Sequence, residues 1–258
     1  MNSRRDCLSN ADPENYIGLK FSISDPETAG RWNPGQYVAL AFEDELSAGY
    51  SHMRDDDPKS LNDDYVRTFT VSSSITGPDS HHNEFEITMR NVGEVTRFLF
   101  RQQLRSGLEV PLKGFGGTFT ISQSPTETIQ FVAGGIGITP ILAYLPHLDL
   151  KHLKLYWTIN VQDVGLVVDT FGQHPELASS TSLFISGITE NNNVEAKAVV
   201  AELERSGASV STRRMQVSDL QGEQNTSSKW YICTSTAFRQ TLMAWLSGRQ
   251  VLFEDFNY

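Results

Sequence analysis

The rhythm of apolar and polar positions changes once along this chain. Tyr16–Ser24 (YIGLKFSIS) alternates apolar and polar residues, as a strand with one buried face must, and Phe85–Val92 (FEITMRNV) alternates again. Between them the turn signal Asn33-Pro34-Gly35 leads into QYVALAF, and Tyr65–Ser73 (YVRTFTVSS) is dense in β-branched and aromatic residues. One helix interrupts this half: after Gly93, the residues Val95, Phe98, Leu99 and Leu104 fall at near-helical spacing. LEVPLKGFGGTFTI then returns to strand and turn. Short strands around a single helix predict a small antiparallel β-barrel.

From about Glu127 strands alternate with helices. TIQFVAG reads as a strand, TPILAYLPHL as a helix with Pro140 in its first turn, and KLYWTIN as a strand. VGLVVDTF is apolar throughout and fits helix or strand. SLFISG is a strand, NNVEAKAVVAELERSG a helix closed by glycine, KWYICTS a strand, STAFRQTLMAWLSG a helix and VLFEDFNY a closing strand. This alternation predicts a Rossmann-like parallel sheet with helical crossovers. The boundary falls in Gln123–Glu127, giving domains 1–124 and 125–258.

Composition narrows the function classes. A length of 258 residues suits two domains, and the net charge of −10 argues against nucleic acid or an anionic membrane as partner. No run approaches the length of a membrane span, and MNSRRDCLSNADPE turns polar where a signal peptide is apolar. Cys7 and Cys233, the chain's two cysteines, are far apart and fit a reducing, cytoplasmic setting. Glu43–Asp64 is a long acidic connection: a solvated loop, a cover over a site, or a docking surface for a basic partner. Its His52 with Asp55, Asp56 and Asp57 matches no metal-ligand spacing, so no metal is expected.

The chemistry-bearing motifs begin with FVAGGIGITP, Phe131–Pro140, which places glycines where a strand gives way to a helix. Helix N-terminal amides favour phosphate there, and glycine lets backbone approach it closely; an ordinary packing turn has the same composition. In Arg67-Thr-Phe-Thr70, alternation puts Arg67 and Phe69 on one strand face and Thr70 on the other. A flavin site could use the guanidinium on phosphate, the ring against the isoalloxazine and the hydroxyl near N5. Gly93-Glu-Val-Thr96 opens the barrel's helix, and YICTSTAF ends a strand at Cys233, with EDFNY closing the sequence. Each residue has a plainer alternative. Arg67 could pair with the acidic connection, Phe69 and Phe256 could be core aromatics, Thr70 a strand former, Cys233 an inert buried thiol and Glu254 a surface acid.

In this order the motifs resemble those of the ferredoxin-NADP reductase superfamily over Tyr16–Tyr258; the GGIGITP form and the FEDF ending look closer to flavohaemoprotein and oxygenase-reductase modules, and the whole also resembles fungal FAD-binding reductase-like proteins. The resemblance implies an FAD-binding β-barrel (FAD rather than FMN) followed by an NAD(P)-binding α/β domain, the two cofactors meeting between them. It assigns Arg67, Phe69, Thr70 and Val71 to the flavin, and Gly93, Val95 and Thr96 to its pyrophosphate. Gly134, Gly135, Gly137, Ile138, Thr139 and Pro140 would cradle NADH or NADPH. Cys233 would lie near the nicotinamide, with Glu254 and Phe256 or Tyr258 beside the flavin; Thr70, Cys233 and Glu254 form the catalytic set. The implied function is an FAD-dependent NAD(P)H oxidoreductase passing hydride to flavin and electrons to an unidentified acceptor.

The sequence departs from the family in three places. Cys233-Thr234-Ser235 stands where Cys-Gly-Pro is common, Asn160 stands where an Arg is frequent, and no Arg follows SLFIS, although Arg213 and Arg214 come later. The missing basic clamp favours NADH over NADPH. The same departures motivate an alternative, a reductase-derived scaffold catalysing a cyclisation or isomerisation of a small organic substrate. A flavin-carrying interaction module is a third reading.

Overall fold

The computed structural model describes residues 15–25, 27–28, 30–42, 46, 66–74, 83–102, 108–189, 193–220 and 228–254. In the strand-rich half, β1 (Tyr16–Ser22), β2 (Tyr37–Ala41), β3 (Val66–Thr70) and β4 (Glu84–Arg90) precede helix α1 (Glu94–Gln102) and β5 (Leu112–Gly116). All pairings are antiparallel: β1 with β4, and β2 between β3 and β5. A bridge from Val71 to Ile87 joins the two sheets, which wrap a shared core. The alternation seen in sequence becomes the inward row Phe85, Ile87 and Met89 on β4, with Phe21 stacked on Phe85 at 5.4 Å. Helix α1 closes the core with Val95 and Leu99, which are 2% and 1% exposed.

The second half is a six-stranded, all-parallel sheet in the order β11-β10-β6-β7-β8-β9. Its elements run β6 (Ile129–Gly134), a 3-10 turn (Gly135–Ile138), α2 (Thr139–Tyr144), β7 (Leu153–Asn160), α3 (Val164–Gln173) and β8 (Thr181–Ser186). They continue with α4 (Asn193–Arg205), β9 (Ser209–Ser211), β10 (Lys229–Cys233), α5 (Thr236–Trp245) and β11 (Val251–Phe253). β6 is buried along nearly its whole length, as a central parallel strand must be. The fold class is therefore as the residue pattern predicts: an antiparallel barrel-like half followed by a Rossmann-like α/β half.

Two details go beyond the sequence pattern. VGLVVDTF, compatible with either element, is the helix α3, and Phe171 on it meets Trp157 of β7 edge-to-face at 6.3 Å. Ser209–Ser211 is an edge strand that the pattern does not announce, since three residues (SVS) are too few for an alternation to be read.

Contacts group the described residues of Tyr16–Ser122 with Thr139–Leu148, and those of Gln123–Ile138 with Asp149–Tyr258. In the first unit Tyr144 packs on Gly35, where an added Cβ would lie 2.8 Å from the ring. In the second, Gln123 is tied to the loop before β7. Its Oε1 accepts from the Asp149 N–H at 2.7 Å and its Nε2 donates to the His152 carbonyl at 3.2 Å. Among the described residues no helix is long and apolar enough to cross a membrane.

Candidate functional site

In the α/β unit the chain steps outward from β6 through β7, β8 and β9, then returns to place β10 on the other side of β6. The strand order reverses there, so the carboxyl ends of β6 and β10 frame the topological switch point at which open α/β sheets take their ligands. The glycine turn occupies that point. Gly135 has φ +54, in the left-handed region, and an added Cβ would meet nothing within 4 Å: its outer face is open. Gly137 does the opposite job. A Cβ there would overlap the Cys233 carbonyl oxygen, so this glycine lets the turn lie flat against the end of β10. Gly134, at the end of β6, has Thr234 Cβ 3.1 Å from its own would-be Cβ. Ile138, Thr139 and Pro140 are buried and Gly134, Gly135 and Ile136 half-buried, so the open part of the motif is its beginning.

Cys233 ends β10 with no exposed surface, and its Sγ donates to Glu254 Oε2 at 3.7 Å. Burial, with the neighbouring Glu254 charge and this hydrogen bond adding to it, pushes the thiol well above its ordinary range. Cys233 is a neutral donor at physiological pH, without nucleophilic character. Glu254 is 6% exposed and its backbone N–H donates to the Ile232 carbonyl at 3.2 Å, which fixes the acid beside the end of β10.

The expected flavin residues lie together in the strand-rich unit. Arg67 is exposed on β3, and its Nη1 donates to the Val66 carbonyl at 2.9 Å. Phe69 is half-buried against the barrel core, while Thr70 is 8% exposed opposite Tyr37 on β2. Val71 is wholly buried, and its N–H donates to the Gln36 carbonyl at 3.0 Å. Gly93 has open space where a side chain would be, and Val95 points into the core. Thr96 has a role that the motif alone does not show. Its hydroxyl accepts from the N–H groups of Gly93 at 2.9 Å and Val92 at 3.0 Å, capping the helix it sits in. Phe256, Tyr258, Cys7 and the Glu43–Asp64 connection apart from Leu46, His52 and its neighbouring aspartates included, lie outside the described residues.

No family model matches the chain. It is 32% identical over 114 residues to the glycine betaine monooxygenase reductase subunit of Pseudomonas aeruginosa, covering 43% of this chain and 25% of that protein. It is 29% identical over 181 residues to the reductase component of the naphthalene 1,2-dioxygenase system of Pseudomonas putida, covering 67% and 47%. The chain thus spans between a quarter and a half of these relatives. The flavohaem-like FAD/NAD-binding domain of nitric oxide dioxygenase from Vibrio cholerae superposes with a TM-score of 0.60 at 16% identity, over 94% of this chain and 92% of that one. The chain shares the fold of that FAD/NAD-binding domain.

The departures from the superfamily's sequence pattern now have structural content. Thr234 turns its Cβ and methyl onto Gly134 and is 5% exposed, so it fills space beside β6 and leaves the open face of Gly135 uncovered. Asn160, at the end of β7, accepts from the Gln162 N–H at 3.0 Å, and its amide lies 2.8 Å from where a Gly187 Cβ would stand. It shapes the carboxyl edge through this capping bond and carries no charge to offer. Arg213, just past β9, forms a two-point pair with Asp219 at 2.6 and 2.8 Å, with its guanidinium 5.7 Å from the Phe184 ring centroid. Sequence spacing gives no sign of that pairing, because it depends on the turn at Gln216–Asp219.

Proposed function

We propose that this chain is an FAD-dependent NAD(P)H oxidoreductase in which hydride passes from nicotinamide to flavin and electrons pass on to a separate acceptor. The observation that carries the reading is the glycine turn at the β6/β10 switch point, with Gly135 open and left-handed and Gly137 closed against the Cys233 carbonyl. An open, left-handed glycine followed by a 3-10 turn points successive N–H groups outward, which suits a pyrophosphate. In the strand-rich unit, exposed Arg67, buried Thr70 and the unobstructed Gly93 fit a flavin and its phosphates. We keep the functional division at 1–124 for FAD and 125–258 for the dinucleotide.

A bound FAD supplies hydride acceptance and onward electron release. The protein's own groups position and insulate. Cys233 stays protonated and presents a compact neutral thiol, with its proton held toward Glu254. Thr70 offers a hydroxyl from a strand end that packing fixes. NADH is favoured over NADPH, because Arg213 is committed to Asp219 and Asn160 carries no charge. The acceptor is a separate protein of the oxygenase or ferredoxin kind, as the named relatives suggest. Two cysteines cannot supply the thiolates of an iron–sulfur cluster, and they fit a cytoplasmic setting.

The test is flavin retention. Wild-type protein mixed with FAD and passed through gel filtration should elute yellow, and Arg67→Ala should elute with most of that colour lost. Equal flavin content in both would remove Arg67 from the site, and a wild-type protein that never takes up FAD would overturn the reading.

A further inference from the structure

Trp157 lies in the middle of β7, opposite Ala133 of β6, and has no exposed surface. Its ring is held edge-to-face by Phe171 of α3 at 6.3 Å. Its indole Nε1–H donates to the carbonyl oxygen of Gly135 at 2.9 Å. That carbonyl belongs to the left-handed glycine that opens the turn. A trans peptide carries its C=O and its N–H on opposite sides. Anchoring the Gly135 oxygen on a fixed indole therefore turns the Ile136 N–H the other way, away from the indole.

Burial alone does not explain this bond. The indole nitrogens of Trp32 and Trp230 are also buried, and among the described residues neither has a hydrogen-bond partner. Trp157 differs from them in giving its N–H to the turn. The bond gives the 3-10 turn Gly135–Ile138 an anchor on a neighbouring strand, outside the turn itself.

We infer that Trp157 is a positioning residue for dinucleotide binding: it fixes the Gly135–Ile136 peptide so that its N–H faces the pyrophosphate. This rests on the proposed dinucleotide reading of the turn. Trp157 touches no ligand and acts only through the backbone it holds.

Trp157→Phe keeps a ring of similar shape and deletes the N–H. The probe is ADP-ribose, which carries the pyrophosphate without the nicotinamide, titrated into FAD-loaded protein by calorimetry. The variant should bind ADP-ribose about three- to tenfold more weakly, the scale of one hydrogen bond's net contribution. Flavin content and the rate of flavin reduction at saturating NADH should match wild type, so that the loss falls on binding and leaves turnover intact. Phe171→Leu loosens the same packing and leaves the N–H in place; it should bind ADP-ribose within about twofold of wild type. Equal binding by wild type and Trp157→Phe overturns the role of Trp157 alone. A loss in Phe171→Leu as large as in Trp157→Phe also overturns it, since packing would then be the cause. A wild-type protein that binds neither ADP-ribose nor NADH overturns the dinucleotide reading and the inference with it. Should Trp157→Phe fail to fold, fluorotryptophan-labelled wild-type protein decides. ADP-ribose should move the Trp157 resonance and leave those of Trp32 and Trp230 in place, and an unmoved Trp157 resonance overturns the proposal.

Discussion

Gly137→Ala tests how the glycine turn is built. The added methyl would run into the Cys233 carbonyl oxygen, a main-chain atom at the end of β10, which pairs with both β6 and β11. No flexible side chain can move aside, so the overlap belongs at the upper end of overpacking costs, about 3 kcal/mol. Alanine stiffens the unfolded chain and returns about 1 kcal/mol of that. The net loss of about 2 kcal/mol corresponds to a fall of about 8 °C in the melting midpoint of a unit of this size. Circular dichroism melts read it directly. Gly18→Ala is the control: Gly18 sits on β1 with nothing within 4 Å of an added Cβ, and its midpoint should hold or rise. A Gly137→Ala midpoint equal to wild type would show that the turn does not rest on β10.

Three further outcomes follow from the electrostatics. In a Cys7→Ser background, Glu254→Gln should bring the Cys233 thiol part of the way back toward its ordinary range, because the charge goes while the burial, its main cause, remains; an unchanged thiolate absorbance titration would dismiss the Cys233–Glu254 contact. Tyr156, pushed up to about 12 chiefly by burial and secondarily by Asp219, contributes stability that is complete below its ordinary 10.0 and lost as pH rises toward 12. Tyr156→Phe should flatten that alkaline limb of the unfolding midpoint, and an identical limb would contradict it. Asp219 is held below the usual carboxylate range mainly by its hydrogen bonds from Arg213, so its contribution is present above that range and disappears as pH falls through the depressed value. Asp219→Asn should therefore melt lower than wild type near neutrality and converge with it in acid; a gap that persists in acid would point elsewhere.

What the sequence made readable, and what it hid, has a physical pattern. Elements with a buried face and a polar face, such as Phe85–Val92 and the helix opening at Gly93, announce themselves by periodicity. VGLVVDTF does not, since a helix packed on a sheet and a buried strand present the same continuous apolar run, and contacts such as Phe171 on Trp157 belong to the helical answer. The GGIGITP motif is legible as a strand-to-helix turn, yet the division of labour between Gly135 and Gly137 is set by Cys233, far along the chain. Thr96 reads as a phosphate contact within GEVT, and the bonds its hydroxyl accepts from the N–H groups of Val92 and Gly93 are not legible in the motif. The roles of Arg213 and Trp157 are hidden because what matters about each is a partner chosen by tertiary structure, Asp219 in one case and a backbone carbonyl in the other.

The measurement that bears most directly on the central claim is the visible spectrum of the FAD-loaded protein under anaerobic conditions, before and after NADH and then NADPH. The account predicts flavin bands that bleach on mixing with NADH and bleach more slowly with NADPH. Flavin that binds and stays oxidised with both nucleotides would contradict it.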